Sequence, residues 1–213
     1  MDTLDERARQ FAVGLSCLAG FVDALGFLAL GGFFVSFMSG NTTRLGVGLA
    51  GHWPEAALAG ALMGIFTLGV AFGVVIGRRA QAKRAGAVLA LVAIAVSLAA
   101  VLATAGVTLV AGLVLAFAMG AENAVFERDG RVRVGLTYMT GALVGLGQRL
   151  ANLVMGQSTT GWGFQASLWL GMAVGATLGA AAFNWIGLAA LWAAAVAAGF
   201  ISVATWHKPL AWR

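Results

Sequence analysis

The fold predicted for this chain is an all-α integral membrane protein. Six transmembrane helices are expected as inverted three-plus-three repeats, each with a re-entrant or broken helical segment. Three observations predict it. The chain is 61% hydrophobic and only 10% charged, with a mean hydropathy of +0.92, far outside the range of soluble domains. Six apolar runs are each long enough to cross a hydrocarbon core, which takes ~20 residues. Finally, the chain repeats itself, with polar residues inside both copies.

The apolar runs cover approximately 11–32, 55–77, 86–104, 107–126, 163–183 and 186–206. The first is too long for a cleavable signal and lacks a small-residue cleavage site, so it is expected to remain as a helix. Two further stretches, about 33–51 and 134–156, are apolar but interrupted, the first by Ser39-Gly40-Asn41-Thr42-Thr43-Arg44 and the second by Thr140-Gly141. Glycines four apart (Gly60 and Gly64; Gly69, Gly73 and Gly77; Gly171, Gly175 and Gly179) suit close approach of helix backbones where no hydrophobic effect drives association. Trp53, Trp162, Trp185, Trp206 and Trp212 fall near segment ends and read as interfacial anchors.

The repeat is legible residue by residue. Gly20-Phe21-Val22-Asp23-Ala24-Leu25 returns 100 residues later as Gly120-Ala121-Glu122-Asn123-Ala124-Val125. Ser36-Phe37-Met38-Ser39-Gly40 returns 101 residues later as Thr137-Tyr138-Met139-Thr140-Gly141. Thr67-Leu68-Gly69 echoes as Thr177-Leu178-Gly179. The whole chain, 1–213, is therefore expected to be one transmembrane domain, with repeat 1 over about 1–105 and repeat 2 over about 106–213.

Charge decides between crossing and re-entry. If both interrupted stretches return to the side they came from and the N-terminus is cytoplasmic, eleven Lys and Arg face inward and none outward. Arg44 and Arg149 then stay within the membrane. If both stretches cross, four face inward and seven outward. The positive-inside rule selects re-entry. Three crossings per half then turn the second half upside down, and the broken segments enter from opposite faces toward the midplane. The expected location is the inner membrane, multi-pass, with both termini cytoplasmic. The net charge of +5 and a pI near 10.7 reflect these loops rather than a nucleic-acid surface.

Intramembrane polar residues are costly and point to function. The candidate substrate site is Ser39, Asn41, Arg44, Thr140 and Arg149, with Asp23, Glu122 and Asn123 in support. Ser39-Gly40-Asn41 suits an N-cap opening a short helix to Ala50, whose positive end would face the membrane interior. Asn41, Arg44 and Gly48 share one face of it; Gly141, Gly145, Arg149 and Asn152 share a face of the second copy. Two readings of the charges stand side by side. Asp23 and Glu122 pair with Arg44 and Arg149 as internal fasteners, or an arginine faces a water-filled path and attracts an anion. For Asp23, static pairing is the expectation.

Other chemistry is not indicated. Cys17 is a lone thiol, and His52 and His207 have no partner at ligand spacing, so no metal or cofactor is expected. No nucleotide loop, nucleophile elbow or carboxylate pair is present, so no enzyme is expected.

Two signatures carry a family resemblance: Gly20-x-x-Asp23-Ala24 with Met38-Ser39-Gly40-Asn41-Thr42, and Ala118-Met119-Gly120-x-x-Asn123-Ala124 with Thr137-Tyr138-Met139-Thr140-Gly141. Over nearly its whole length the chain resembles the YoaK-like family of bacterial inner-membrane proteins, a domain of unknown function. Ser39 stands where that family usually has Thr, and keeps the hydroxyl. The resemblance implies a compact bacterial multi-pass protein that transports a small molecule. It supplies neither a substrate nor catalytic residues. Expected partners are membrane lipids and a small polar or anionic substrate, with a homo-oligomer open and no nucleic acid. The alternative is a non-transporting scaffold whose charges only fasten it.

Overall fold

The computed structural model describes residues 6–128, 131–132, 134–157 and 162–208, without the side chains of Arg128, Arg131, Val132 and Trp162. Trp212, Arg133 and Arg213, which the sequence places at an interface or on the inner side, lie outside the described residues, as does Asp2. Among the described residues eight α-helices follow one another: α1 (Glu6–Ala29), α2 (Met38–Leu49), α3 (Trp53–Ala80), α4 (Arg84–Thr104), α5 (Thr108–Asn123), α6 (Met139–Val154), α7 (Trp162–Ile186) and α8 (Leu191–His207). A two-residue antiparallel pairing, Glu127–Arg128 with Arg131–Val132, follows α5.

Four continuous helical stretches are long and apolar enough to cross a membrane: Glu6–Ala29, Trp53–Thr104, Thr108–Phe126 and Gly163–His207. The second folds back at Gln81, which takes φ 51, so that α3 and α4 are separate helices. The fourth turns at Gly187 (φ 59), between α7 and α8. Local sequence sets the ends. Pro54 sits in the first turn of α3 with Glu55, while Arg78 and Arg79 occupy its last, each matching the sign of the helix dipole. Gly106 and Gly156 close α4 and α6 at φ 79 and 68, a left-handed turn that a side chain resists. Behind each, an amide reaches back five residues, from Val107 to Leu102 and from Gln157 to Asn152.

The two stretches with interrupted apolarity behave alike. Residues 30–37 contain no helix, and α2 then runs for only 12 residues, about 18 Å. Residues 133–138 likewise lack helix among those described, before the 16 residues of α6. The expected cap is displaced: α2 opens at Phe37 without a side-chain cap, not at Ser39–Asn41.

The tightest packing joins α1 to α7 and α3 to α5, and glycine makes both possible. A Cβ at Gly20 would fall on the Met172 carbonyl, at Gly175 on that of Cys17, and at Gly179 on that of Phe21. Across the other pair, Gly120 meets the Phe66 carbonyl, Gly69 that of Phe117, and Gly73 that of Ala121. Small residues let helices approach to backbone contact, where dispersion and weak Cα–H···O contacts replace the hydrophobic effect. The two interfaces repeat each other, contact for contact, at offsets of 100 on α1 and α5 and 106 on α3 and α7. The echo of Thr67–Gly69 in Thr177–Gly179 runs at 110, so packing sets the two helices one turn away from the sequence match. Gly64, by contrast, faces open space.

Helices α4 and α8 form the third pair, joined where the Ser202 hydroxyl donates to the Gly86 carbonyl at 2.8 Å. Ser16, fully buried on α1, lies within hydrogen-bond distance of the Leu136 and Leu168 carbonyls (3.1 and 3.0 Å). It ties α1 to the non-helical stretch before α6 and to α7. Trp53 and Trp185 stand 71% and 88% exposed at helix ends, as interfacial anchors do.

Candidate functional site

Depth can be read from α1 and α5, which run antiparallel. Leu30 lies against Gly112 at one end, and the Phe11 and Phe126 rings lie 6.0 Å apart at the other. Counting 1.5 Å per residue between these contacts, Asp23 and Asn123 sit about 10 Å apart along the bundle axis, on either side of the middle of the overlap. Both polar residues therefore lie within helical stretches long and apolar enough to cross a membrane.

Each holds a broken segment. Asp23 is 7% exposed, and its Oδ1 accepts from the amides of Val35 (2.9 Å) and Ser36 (2.7 Å). Unwound backbone at this depth has no water to bond, so the carboxylate supplies the acceptor that the chain lacks. In the other half, the Thr137 hydroxyl reaches Asn123 Oδ1 at 3.4 Å, while Asn123 Nδ2 donates to the Met119 carbonyl. Ser36 and Thr137 are the matched positions of the repeat, but Asp23 accepts from the Ser36 amide whereas Asn123 accepts from the Thr137 hydroxyl.

This corrects the expected ion pair. Among the described residues, Asp23 has no basic partner within ion-pair distance, and neither does Glu122. Glu122 is fully buried, and neither carboxyl oxygen has a hydrogen-bond partner. Arg44 instead places its guanidinium 4.5 Å from the centre of the Phe33 ring, close to Gly32 at the end of the first span. Arg149, half-buried on α6, is engaged by a neighbour rather than free.

Asn41 is equally committed. Its side chain is fully buried; Oδ1 accepts from the Phe34 amide at 3.0 Å and Nδ2 donates to the Phe34 carbonyl at 2.7 Å. It pins the start of α2 to the extended segment rather than offering itself to a ligand. Gly48, on the same face, packs on the Ala56 backbone, so this face of α2 turns toward α3 instead of a channel. Ser39 and Thr140 are exposed, one on each short helix. Helix α2 packs chiefly on α3, and α6 on α7, where Gly145 meets the Gln165 side chain. The structure thus brings Asp23 and Asn41 together at one broken segment and Asn123 and Thr137 at the other. It does not gather Ser39, Arg44, Thr140 and Arg149 around one point.

A cavity of about 490 Å³ opens beside Asp23, between α1, the extended segment and α7. Its walls are Ala24, Phe27, Leu28, Phe34, Ala176, Thr177 and Ala180, and Asp23 is the only ionisable residue among them. A second cavity, about 510 Å³, lies between the start of α1 and the start of α7, lined by Glu6, Arg9 and Gln10 with Phe164 and Ser167.

Sequence reasoning missed Glu127. It is 5% exposed and receives Arg78 Nη2 at 2.9 Å and Arg84 Nη1, fastening the turn after α5 to the α3–α4 corner. The available signal was an acid next to Phe126 facing a cluster of four cations in residues 78–84.

The comparisons agree with this architecture. Residues 11–204 match the family model described as a protein of unknown function, DUF1275. The UPF0700 transmembrane protein RA0705 of Rhizobium meliloti (strain 1021) is 38% identical over 214 residues, covering 97% of this chain and 92% of that protein. No solved structure matches. With the match extending from α1 into α8, through both glycine-packed interfaces and both clamps, the chain belongs to the DUF1275 family of multi-pass membrane proteins.

Proposed function

We propose that this protein is a carrier or channel for a small polar solute, built from two inverted halves of three crossings, each with one re-entrant hairpin. The observation that carries the proposal is the pair of matched clamps, Asp23 on Val35 and Ser36 and Asn123 on Thr137. Broken helices held open at bilayer depth are expensive, and transporters use them to place polar groups along a path. The repeated glycine contacts support two structurally equivalent halves, since one rule of correspondence pairs all six of them. In this reading the protein sits in the bacterial inner membrane with both termini cytoplasmic and has no catalytic role. Lipids surround it, and association with further copies is compatible with it. The polar path centres on Asp23 and Asn123, with Ser39 and Thr140 on the exposed flanks of α2 and α6; Arg44 and Arg149 flank it.

Purified protein in liposomes tests this by uptake of a panel of small polar solutes and ions. The reading expects flux of at least one class, reduced by Asp23→Asn. A folded protein that moves none of them would contradict it. The scaffold reading is favoured by one observation, the packing of the Asn41 and Gly48 face of α2 into the bundle. It expects no flux and full tolerance of Asp23→Asn.

A further inference from the structure

The cavity beside Asp23 combines one carboxyl with apolar and aromatic walls. Six of its eight lining residues are Ala, Leu or Phe, and its two polar members are Asp23 and Thr177. The Phe27 and Phe34 rings, 4.9 Å apart, stand together on its wall. Asp23 has no cationic partner among the described residues; the donors around its carboxyl are neutral, the amides of Val35, Ser36 and Phe37. Phe27, Leu28 and Thr177 are exposed although they lie on membrane-spanning helices. The opening therefore faces hydrocarbon rather than either aqueous side.

We propose that this cavity binds an amphipathic organic cation, a protonated amine or quaternary ammonium carrying an apolar body, that enters from the lipid. Three features select that class. A single carboxyl in an apolar surround attracts positive charge with little screening. Aromatic faces add cation–π attraction for a diffuse cation. Apolar walls reward an apolar body, and the site is a largely open depression on the lipid-facing side, which leaves part of a bulky ligand in contact with lipid. An anion would meet the same carboxyl unshielded, so the cavity discriminates by repulsion as well as attraction. The inference rests on the carrier reading only in making this amphipathic cation, rather than a small polar solute, the transported substrate; the binding site stands or falls by itself.

The experiment compares two ions of one shape and opposite charge, tetraphenylphosphonium and tetraphenylborate, by equilibrium dialysis against the protein in nanodiscs, with empty nanodiscs as background. Protein-dependent binding of the phosphonium alone is expected. Asp23→Asn is expected to weaken it about tenfold while leaving the melting temperature near that of the unchanged protein. The variant's amide oxygen keeps an acceptor for the Val35 and Ser36 amides. Should Asp23→Asn fail to fold, Ala180→Phe fills the cavity from its far wall and is expected to abolish binding. Equal binding of both ions, or phosphonium binding that survives both substitutions, overturns the proposal. Asp23-dependent binding with no uptake in liposomes removes the carrier reading and keeps the site. Uptake of other solutes without phosphonium binding removes the site and keeps the carrier.

Discussion

Replacing Gly69 by alanine is the sharpest structural perturbation available, because its cost can be set against a control on the same helix. At Gly73 the new carbon would lie 2.8 Å from the Ala121 carbonyl oxygen, and at Gly69 it would fall deeper still into that of Phe117. The obstacle is backbone, which cannot rotate away as a side chain would. Helices α3 and α5 must separate by up to about 1 Å, and overpacking of this kind costs about 1–3 kcal/mol. At Gly64, on the same helix, nothing lies within 4 Å of the added carbon. There, alanine gains up to about 1 kcal/mol of helix propensity. The two variants should differ by about 2–4 kcal/mol, visible as melting temperatures displaced in opposite directions from that of the unchanged protein in one detergent. Gly175→Ala, which meets the Cys17 carbonyl, should match Gly69→Ala, as its counterpart across the other interface. Equal effects of Gly64→Ala and Gly69→Ala would refute the close approach on which the packing of both halves depends.

Glu122→Met should raise the melting temperature, since it removes a fully buried carboxyl with two unpartnered oxygens, a burden of about 1–3 kcal/mol; a fall would reveal a partner for it. Glu127→Ala should destabilise by about 3 kcal/mol, read by denaturation in detergent, because it strips Arg84, only 16% exposed in its side chain, of its acceptor. Arg78→Ala should cost less than about 1 kcal/mol, as its side chain is 57% exposed, and a larger effect than Glu127→Ala would invert the assignment. Asn41→Ala leaves the Phe34 amide and carbonyl without the partner they have now, at about 1–3 kcal/mol for each buried group; hydrogen exchange should show residues 33–37 opening first.

The apolar runs, the broken stretches and the glycine spacing were legible because membrane burial leaves a coarse mark on composition: a helix of spanning length must be apolar, and close approach must use small residues. Gly69, Gly73, Gly175 and Gly179 stand where the spacing put them, in contact with a neighbouring helix. Gly64 shares that spacing and faces open space, since spacing names a face but not what it meets. The polar residues were found but not their partners. Asp23 pairs with backbone amides and Arg44 with an aromatic ring, both outcomes of a tertiary path that charge matching does not contain. Asn41 looked like part of a helix cap but reaches back seven residues to Phe34, because non-helical backbone inside the bundle needs both its donor and its acceptor satisfied. Glu127 was invisible for a similar reason. An acid in a polar turn reads as solvated until the turn folds against the Arg78 and Arg84 corner.

In the proposed arrangement the two broken segments return to the faces they came from, in opposite senses. Single cysteines at His52 and Gln157, both exposed, placed in a Cys17→Ser background and probed in intact cells with a membrane-impermeant maleimide, test it directly. The inverted arrangement predicts periplasmic labelling at 52 and protection at 157 until the cells are opened. If both stretches cross, the two positions share the cytoplasmic side, and matching protection at both would contradict the account.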